Sequence, residues 1–286
     1  MAYVCHFSCG ATSAIATAIA IKKHGDAEII YADTSSEHPD NLRFLRECED
    51  KLFGKKVKIL HSEKYKDIFH VFEERRFLAS PSGAPCTMEL KKIPIRDYLG
   101  SRIIEDVQVF GFDVGERARV DRFKQNNPEV TLYLPLVEHG LSKRNCLALL
   151  EKFNIELPAM YKLGYSNANC VGCVKAENLR YWAAIREDFP DTFKWYAEFE
   201  RKIGRSEDGV PVGAAINKKY VNGERVRVFL DELPEDIEPD RSIDIFCGYS
   251  CGKAIDLLAS EEHDGVHDLD EIFGWMNDAS QGSLYV

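Results

Sequence analysis

A strand-like run that passes directly into a turn of very small residues is the strongest constraint in this sequence. Residues 3–8 are largely apolar, and a helical pattern covers residues 14–24. The turn between them consists of Ser8, Cys9, Gly10, Ala11, Thr12 and Ser13. Such small side chains leave the backbone N–H groups accessible, and the positive end of the helix dipole points at the same place. The pattern predicts a phosphate-binding turn, although close packing of strand and helix would favour the same residues.

The rest of the first half alternates strand-like and helical segments. The strand-like runs cover residues 3–8, 28–32, 56–60 and 107–111, and the helical patterns cover 14–24, 41–51, 65–74 and 90–99. This alternation is typical of βαβ units on a parallel sheet, whose ligands bind outside the carboxyl ends of the strands. We therefore predict an α/β fold with a doubly wound, mostly parallel, Rossmann-like sheet.

The character of the sequence changes near residue 142. A helical pattern over 142–153 begins at a serine cap, and a long aromatic-rich helical run covers 178–201. Asn222-Gly223 indicates a type I′ turn in a short hairpin over 217–230, and an acidic connector follows at 231–240. These features predict two domains, a nucleotide-binding α/β domain over 1–141 and a smaller, mainly helical, cysteine-containing region over 142–286.

Several ordered motifs in the first 173 residues carry a family resemblance. They are the turn at residues 8–13, Asp33-Thr34 with Pro39, Cys86-Thr-Met-Glu-Leu-Lys-Lys-Ile-Pro94, Gly111-Phe-Asp-Val-Gly-Glu-Arg-Ala-Arg119, Leu134-Pro-Leu-Val-Glu138 and Gly164-Tyr-Ser-Asn-Ala-Asn-Cys-Val-Gly-Cys173. Together they resemble the phosphoadenosine phosphosulfate (PAPS) reductase family, within the PP-loop or adenine nucleotide α-hydrolase-like superfamily.

The resemblance implies an enzyme, a transferase or oxidoreductase of sulfur metabolism, that binds an adenine nucleotide. Its nucleotide-binding residues would be Ser8, Cys9, Gly10, Ala11, Thr12, Ser13, Asp33, Thr34 and Gly111. Asp33 and Thr34 would lie near the ribose or adenine. The cations that would neutralise sulfate or phosphate charge are Lys91, Lys92, Arg117 and Arg119, and the catalytic candidates among them are Lys91, Arg117 and Arg119.

Two departures from the family leave the reaction open. The PP-loop of ATP pyrophosphatases reads Ser-Gly-Gly-x-Asp-Ser, and its acidic position, which would help manage the Mg²⁺ that accompanies ATP, holds Thr12 here. Sulfonucleotide reductases carry their attacking thiol in a C-terminal Glu-Cys-Gly motif, whereas residues 278–286 contain no cysteine. Three hypotheses remain: sulfur transfer or adenylating activation with ATP or PAPS, true PAPS or APS reduction with a relocated cysteine, and a catalytically inactive nucleotide- or partner-binding protein.

The chain has nine cysteines, four of which form two spaced pairs. Cys170 and Cys173 form a C-x-x-C pair, and Cys247 and Cys251 form a C-x-x-x-C pair. Two such pairs can complete a tetrahedral sulfur site for zinc or for an iron–sulfur cluster. The alternative for the later pair is that two thiols one helical turn apart simply pack.

Family resemblance offers a second ligand set. Iron–sulfur members pair a tandem cysteine with the C-x-x-C, but here the tandem reads Cys86-Thr87, so Cys86 would need a late cysteine as well as Cys170 and Cys173. Cys9 raises a separate hypothesis. A thiol at a helix N-terminus has a lowered pKa and can be reactive, although simple size matching explains Cys9 equally well.

Composition limits the partners and the compartment. The 286 residues carry 37 basic and 47 acidic side chains, and the net charge of −10 argues against an extended nucleic-acid-coating surface. A small-molecule nucleotide and a sulfur donor or thiol reductant are the expected partners. No apolar run approaches membrane-spanning length, and a strand that starts at Tyr3 leaves no room for a signal peptide, so we expect a cytoplasmic protein.

Overall fold

The centre of the fold is a five-stranded sheet in which all neighbouring strands are parallel. The computed structural model describes residues 1–79, 83–203 and 213–245. The strands are β1 (Tyr3–His6), β2 (Ala27–Ala32), β3 (Lys58–Leu60), β4 (Val107–Val109) and β5 (Leu132–Tyr133). Their order is β3-β2-β1-β4-β5, so the chain reverses its direction across the sheet between β1 and β4. The predicted α/β fold with a parallel sheet is confirmed.

Helices surround this sheet and continue beyond it. They are α1 (Ala11–His24), α2 (Asp40–Cys48), α3 (Ile68–Arg75), α4 (Pro85–Thr87), α5 (Ile93–Leu99), α6 (Arg102–Glu105), α7 (Arg117–Asn126), α8 (Pro135–Glu138), α9 (Lys143–Lys152), α10 (Ala159–Lys162), α11 (Leu179–Asp188) and α12 (Pro190–Lys202). An antiparallel pair follows, β6 (Asn217–Val221) with β7 (Glu224–Val228). Within the described ranges, no helix has the length and apolar character needed to cross a bilayer.

Both faces of the sheet are covered, which explains the almost continuous apolar sequence of β1 and β2. Cys5 and Ile29 belong to the core on one face, which includes α1 and α9. Val4 and Ile30 belong to the core on the other face, which includes Ile95 of α5. Strands that are buried on both sides lose the alternation of polar and apolar residues.

Helix α9 begins as predicted and packs on the sheet core. The Ser142 side chain accepts a hydrogen bond from the Asn145 N–H, and the Asn145 side chain accepts one from the Ser142 N–H, which makes a reciprocal cap. Leu149 and Leu150 of α9 are buried in the same cluster as α1. Residues beyond 142 therefore contribute to the sheet's core, and the division at 141/142 stays a prediction.

The prediction of one continuous helical run over 178–201 was wrong. The chain forms α11 and α12 with a break at Phe189, whose backbone angles are φ −138° and ψ 64°. Pro190 is the cause, because its ring disfavours helical geometry in the preceding residue while it suits the first position of a new helix. The strand β5 also went unpredicted, since two residues are too few to produce a periodic pattern.

The hairpin is confirmed, and a buried carboxylate holds its base. Asn222 and Gly223 have φ of 51° and 82°, as a type I′ turn requires. Glu200 of α12 is 0% exposed, and its two carboxylate oxygens accept the N–H groups of Ile216, at 2.5 Å, and Leu230, at 2.7 Å. Burial raises the pKa of Glu200 to about 7, and these two donors act in the opposite direction.

We predict that Glu200→Ala destabilises the protein by several kcal/mol. Two buried N–H groups would lose their acceptor, and each unsatisfied group costs about 1–3 kcal/mol. Urea unfolding monitored by circular dichroism measures the change. Glu198→Ala on the same helix is the control, because the Glu198 side chain is 54% exposed and its pair with Lys202 is a surface one. Equal stability of the two variants would contradict the role of Glu200.

Candidate functional site

Two loops meet at the carboxyl ends of β1 and β4, where the strand order reverses. In open parallel sheets this crevice is the usual place for a ligand. A Cβ atom on Gly111, after β4, would lie 2.7 Å from both the nitrogen and the Cα of Ser13. Only glycine allows that approach of one backbone to another. The structure therefore brings together two segments that the sequence predicted to share a site.

Hydroxyl groups fix the shape of the first loop, the turn at residues 8–13. The Ser13 Oγ accepts hydrogen bonds from the Ser8 N–H and the Ser8 hydroxyl, both at 3.1 Å, and donates to the Gly10 carbonyl at 2.9 Å. Helix α1 begins at Ala11, three residues earlier than the sequence pattern indicated. Ala11, Thr12 and Ser13 of the turn are therefore already the first residues of the helix.

The N-terminus of α1 points its unpaired backbone donors into this turn. The N–H groups of the first helical turn have no intrahelical acceptor, and a helix N-terminus of this kind can bind an anion. The Ala11 N–H already donates to the hydroxyl of Tyr161, in α10, at 3.3 Å. Sequence reasoning missed Tyr161, because nothing in the sequence relates residues 150 positions apart.

Cys9 lies within the turn, and its thiol is buried. Its φ is 55°, a left-handed conformation that is uncommon outside glycine, and its side chain is completely buried. Burial raises the pKa of Cys9 well above its ordinary value, and the nearby carboxylate of Glu37 acts in the same direction. Burial favours the interpretation that a small side chain is needed here, and activation of this thiol by the helix N-terminus stays a prediction.

The first two residues of the loop after β2, Asp33 and Thr34, have different surroundings. The Asp33 carboxylate accepts the Ser35 N–H at 2.7 Å, and its other oxygen lies 3.7 Å from the His61 ring. Thr34 is 2% exposed, and its hydroxyl oxygen lies 3.1 Å from the sulfur of Cys170. Asp33 thus stays near the carboxyl edge of the sheet, whereas the hydroxyl of Thr34 contacts a thiol. The predicted contact of both residues with a nucleotide stays a prediction.

Lys91 is engaged with a buried carboxylate. Its ammonium group lies 3.0 Å from Glu37, whose side chain is only 3% exposed. Glu37 also accepts the hydroxyl of Tyr31, at 2.5 Å, and the side-chain amide of Asn41, at 3.1 Å. A bound anion would therefore share Lys91 with Glu37. Lys92, the next residue, is partly exposed.

The two candidate arginines have different surroundings. Arg119 forms an ion pair with Glu116 and lies over the ring of Phe112, with 4.9 Å between the guanidinium carbon and the ring centre. Arg117 begins α7 and is exposed to solvent. Both residues lie in the first turn of α7, which follows the second loop (residues 110–116), and Arg117 is the exposed one of the two.

Asp113 attaches the second loop to the rest of the fold. It is 9% exposed, and its two oxygens accept the N–H groups of Gly115 and of Lys143, the first residue of α9, both at 2.9 Å. Burial raises the pKa of Asp113, and the two N–H donors oppose that shift. The carboxylate therefore holds the loop against the N-terminus of α9. The sequence analysis had assigned no role to Asp113.

The C-x-x-C pair lies in a second, apolar environment next to the loop after β2. Cys170 and Cys173 are 8% and 7% exposed, and Cys86 packs against the same apolar cluster. Cys170 forms a β-bridge with Glu37. Gly172, with φ of 71°, turns the chain so closely over Tyr196 that a Cβ would lie 2.7 Å from its ring.

Metal binding stays a prediction. Among residues 1–79, 83–203 and 213–245, no three His, Cys, Asp or Glu side chains are arranged to hold a metal ion. Cys247 and Cys251 lie outside these ranges. The carbonyl of Ile245 accepts the side-chain amide of Asn169, the neighbour of Cys170, at 2.7 Å. The described chain thus approaches the C-x-x-C pair again two residues before Cys247.

Comparisons with known proteins are distant. No family model matches the chain. An uncharacterized protein of Methanocaldococcus jannaschii is 23% identical over 214 residues, and the match covers 71% of this chain. The chain spans about half the length of this curated relative, 49%. The crystal structure of a PAPS reductase from Candida auris, in a phosphate complex, is similar with a TM-score of 0.46 and 11% identity, over 59% of this chain and 81% of that chain.

We predict that Gly111→Ala costs about 1–3 kcal/mol of folding free energy, as overpacking of a tight contact does. The added methyl group would overlap the backbone of Ser13, which cannot rotate away. Gly10→Ala is the matched control, because its Cβ would meet its nearest neighbour, the Tyr161 hydroxyl, at an ordinary 3.5 Å. Thermal unfolding of both variants measures the difference, and a Gly111→Ala protein as stable as the control would refute this close contact.

Proposed function

We propose that this protein is an enzyme that binds an adenine nucleotide, ATP or PAPS, and acts in sulfur transfer or adenylating activation. The observation that carries the proposal is the convergence of the turn at residues 8–13 and Gly111 where the strand order reverses. A phosphate there would accept hydrogen bonds from the first N–H groups of α1 and would lie at the positive end of its dipole.

The surrounding charges support an anionic ligand with a ribose beside it. Arg117, exposed at the start of α7, would bind phosphate or sulfate with its planar guanidinium. Arg119 would contribute after exchanging its pair with Glu116. Asp33, at the end of β2, would accept a ribose hydroxyl. Thr12 occupies the position where ATP pyrophosphatases of the family carry an acid, which favours PAPS over Mg²⁺-ATP as the ligand.

We further propose that Cys170 and Cys173 ligate a metal centre, either zinc or an iron–sulfur cluster. Their remaining ligands would be Cys247 and Cys251, or Cys86 with one of these late cysteines. Cys86, Cys170 and Cys173 belong to one apolar cluster, but these three side chains are not arranged to hold a metal ion. Thiolate ligands in an apolar environment suit both zinc and an iron–sulfur cluster. Such a centre would add to the stability of the region that holds it.

The alternative of true sulfonucleotide reduction needs a relocated cysteine as nucleophile. The burial of the described cysteines reduces the number of candidates for this role. Cys9 is completely buried and its pKa is raised, which argues against Cys9 as the nucleophile. Cys86 is partly exposed, which keeps it as a candidate among the described cysteines. A residue that closes a metal site is not at the same time a free nucleophile, so this alternative competes with the second ligand set.

Calorimetry with ATP, AMP and PAPS tests nucleotide binding. We expect wild type to bind at least one of them and Gly10→Val to bind none, because the branched side chain would occupy the place of the phosphate. Gly10→Ala should weaken binding less. Equal affinity of wild type and Gly10→Val for every nucleotide would remove the phosphate-binding turn from the account.

The products identify the reaction once a nucleotide binds. Incubation with ATP and a sulfur donor should yield AMP and pyrophosphate if the enzyme activates its substrate by adenylation. Sulfite released from PAPS by a thiol reductant would instead favour the reductase hypothesis. Tight nucleotide binding with neither product would favour the inactive binding protein. Arg117→Ala should reduce turnover or nucleotide affinity without loss of folding.

Metal analysis of anaerobically purified variants tests the thiolate site. Cys170→Ser and Cys173→Ser should each release the metal, because both ligand sets include these residues. Cys48→Ser and Cys146→Ser are controls, since both thiols are buried in another cluster. Metal loss in Cys86→Ser would support the second ligand set, and loss in both Cys247→Ser and Cys251→Ser the first. Full metal content in Cys170→Ser and Cys173→Ser would contradict both.

A further inference from the structure

A buried carboxylate in the loop after β2 receives hydrogen bonds from three side chains. The side chain of Glu37 is 3% exposed. One of its oxygens accepts the hydroxyl of Tyr31, at 2.5 Å, and the side-chain amide of Asn41, at 3.1 Å. The other oxygen accepts the ammonium group of Lys91, at 3.0 Å. Two neutral donors therefore fix one oxygen of Glu37, and the second oxygen binds a cation.

Stability alone does not account for this ion pair. Burying two charges costs their hydration, and well-packed apolar residues of similar volume are often at least as stabilising. The side chain of Lys91 is 18% exposed, so a ligand in solvent can reach it although Glu37 is almost completely enclosed. An ammonium group has three N–H donors, and the bond to Glu37 uses one of them. The pair thus gives the lysine a fixed position without enclosing it.

The pair lies at the carboxyl edge of the sheet, beside the strand that leads into the turn at residues 8–13. Tyr31 belongs to β2, and its ring packs against Phe7, with 6.5 Å between the ring centres. Phe7 directly precedes the turn, and Phe7, Tyr31 and Cys9 are buried in one apolar cluster. Ligands of open parallel sheets bind at these carboxyl ends. Glu37 therefore anchors the lysine on the side of the sheet where the nucleotide is proposed to bind.

We propose that Glu37 is a positioning residue, which holds the ammonium group of Lys91 for an anionic group, phosphate or sulfate, of the nucleotide. The inference rests on the nucleotide site under Proposed function and adds a residue to it. A lysine side chain has four flexible bonds, and ordering it when a ligand binds costs conformational entropy. Pairing with Glu37 orders the side chain already in the free protein, so less entropy is lost on binding.

Calorimetry with ATP, AMP, PAPS and adenosine tests this role in Glu37→Asp. Aspartate keeps the negative charge but is one methylene group shorter, so the ammonium group loses its position. We expect affinity for the anionic nucleotides that wild type binds to fall about 10- to 100-fold, as the loss of a hydrogen bond to a charged group predicts. Affinity for adenosine, which carries no anionic group, should stay within about twofold of the wild-type value.

A double-variant cycle separates positioning from a general structural effect. Lys91→Met should lose affinity for the same nucleotides as Glu37→Asp. The double variant should bind them no more weakly than Lys91→Met alone, because a residue that acts through Lys91 has no further effect once the ammonium group is gone. Additive losses in the double variant would overturn the inference.

Glu49→Asp is the matched control. Glu49 is also buried, at 2% exposed, and pairs with a lysine at 3.0 Å, but this lysine, Lys56, precedes β3 at the amino end of that strand. Both Glu→Asp variants should unfold at a lower temperature than wild type, and only Glu37→Asp should lose nucleotide affinity. Equal nucleotide affinities of the two variants would overturn the inference and leave the nucleotide site standing. A wild-type protein that binds none of ATP, AMP and PAPS would overturn both.

Discussion

The contact between Gly111 and the backbone of Ser13 is the constraint on which the candidate site depends. The reversal of strand order opens a crevice between β1 and β4, and this contact sets the distance between its two loops. Each loop is then fixed separately, the first by the hydroxyl of Ser13 and the second by the carboxylate of Asp113. Both loops are therefore held by contacts within the protein, so the proposed binding of an anion at the N-terminus of α1 would need little reorganisation.

The loop after β2 connects this crevice with the cysteines. Asp33 begins the loop at the carboxyl end of β2, and Thr34 contacts the sulfur of Cys170. Glu37 forms a β-bridge with Cys170 and an ion pair with Lys91. A short, hydrogen-bonded segment thus joins the two places to which the sequence assigned chemistry. In an enzyme that transfers sulfur to or from an activated nucleotide, such a connection would keep the two sites in a fixed relation.

What the sequence predicted correctly was local. The turn of small residues after β1, the serine cap of α9 and the Asn222-Gly223 hairpin each depend on neighbouring residues, and each is confirmed. Contacts between distant segments could not be read in the same way. The Tyr161 hydroxyl accepts a hydrogen bond from the N–H group at the start of α1, and Glu200 accepts hydrogen bonds from two distant backbone N–H groups. These contacts follow from packing, which leaves no fixed spacing in the sequence. The proline at position 190 does predict a break in the helix, but the aromatic residues on both sides of it favoured the prediction of one continuous helix.

The central claim is that a nucleotide phosphate binds at the first turn of α1, and a crystal structure of the protein with AMP or PAPS tests it most directly. We expect phosphate oxygens within hydrogen-bond distance of the Thr12 and Ser13 N–H groups, with Arg117 turned towards them. A nucleotide bound away from the carboxyl ends of β1 and β4, with the turn empty, would contradict it.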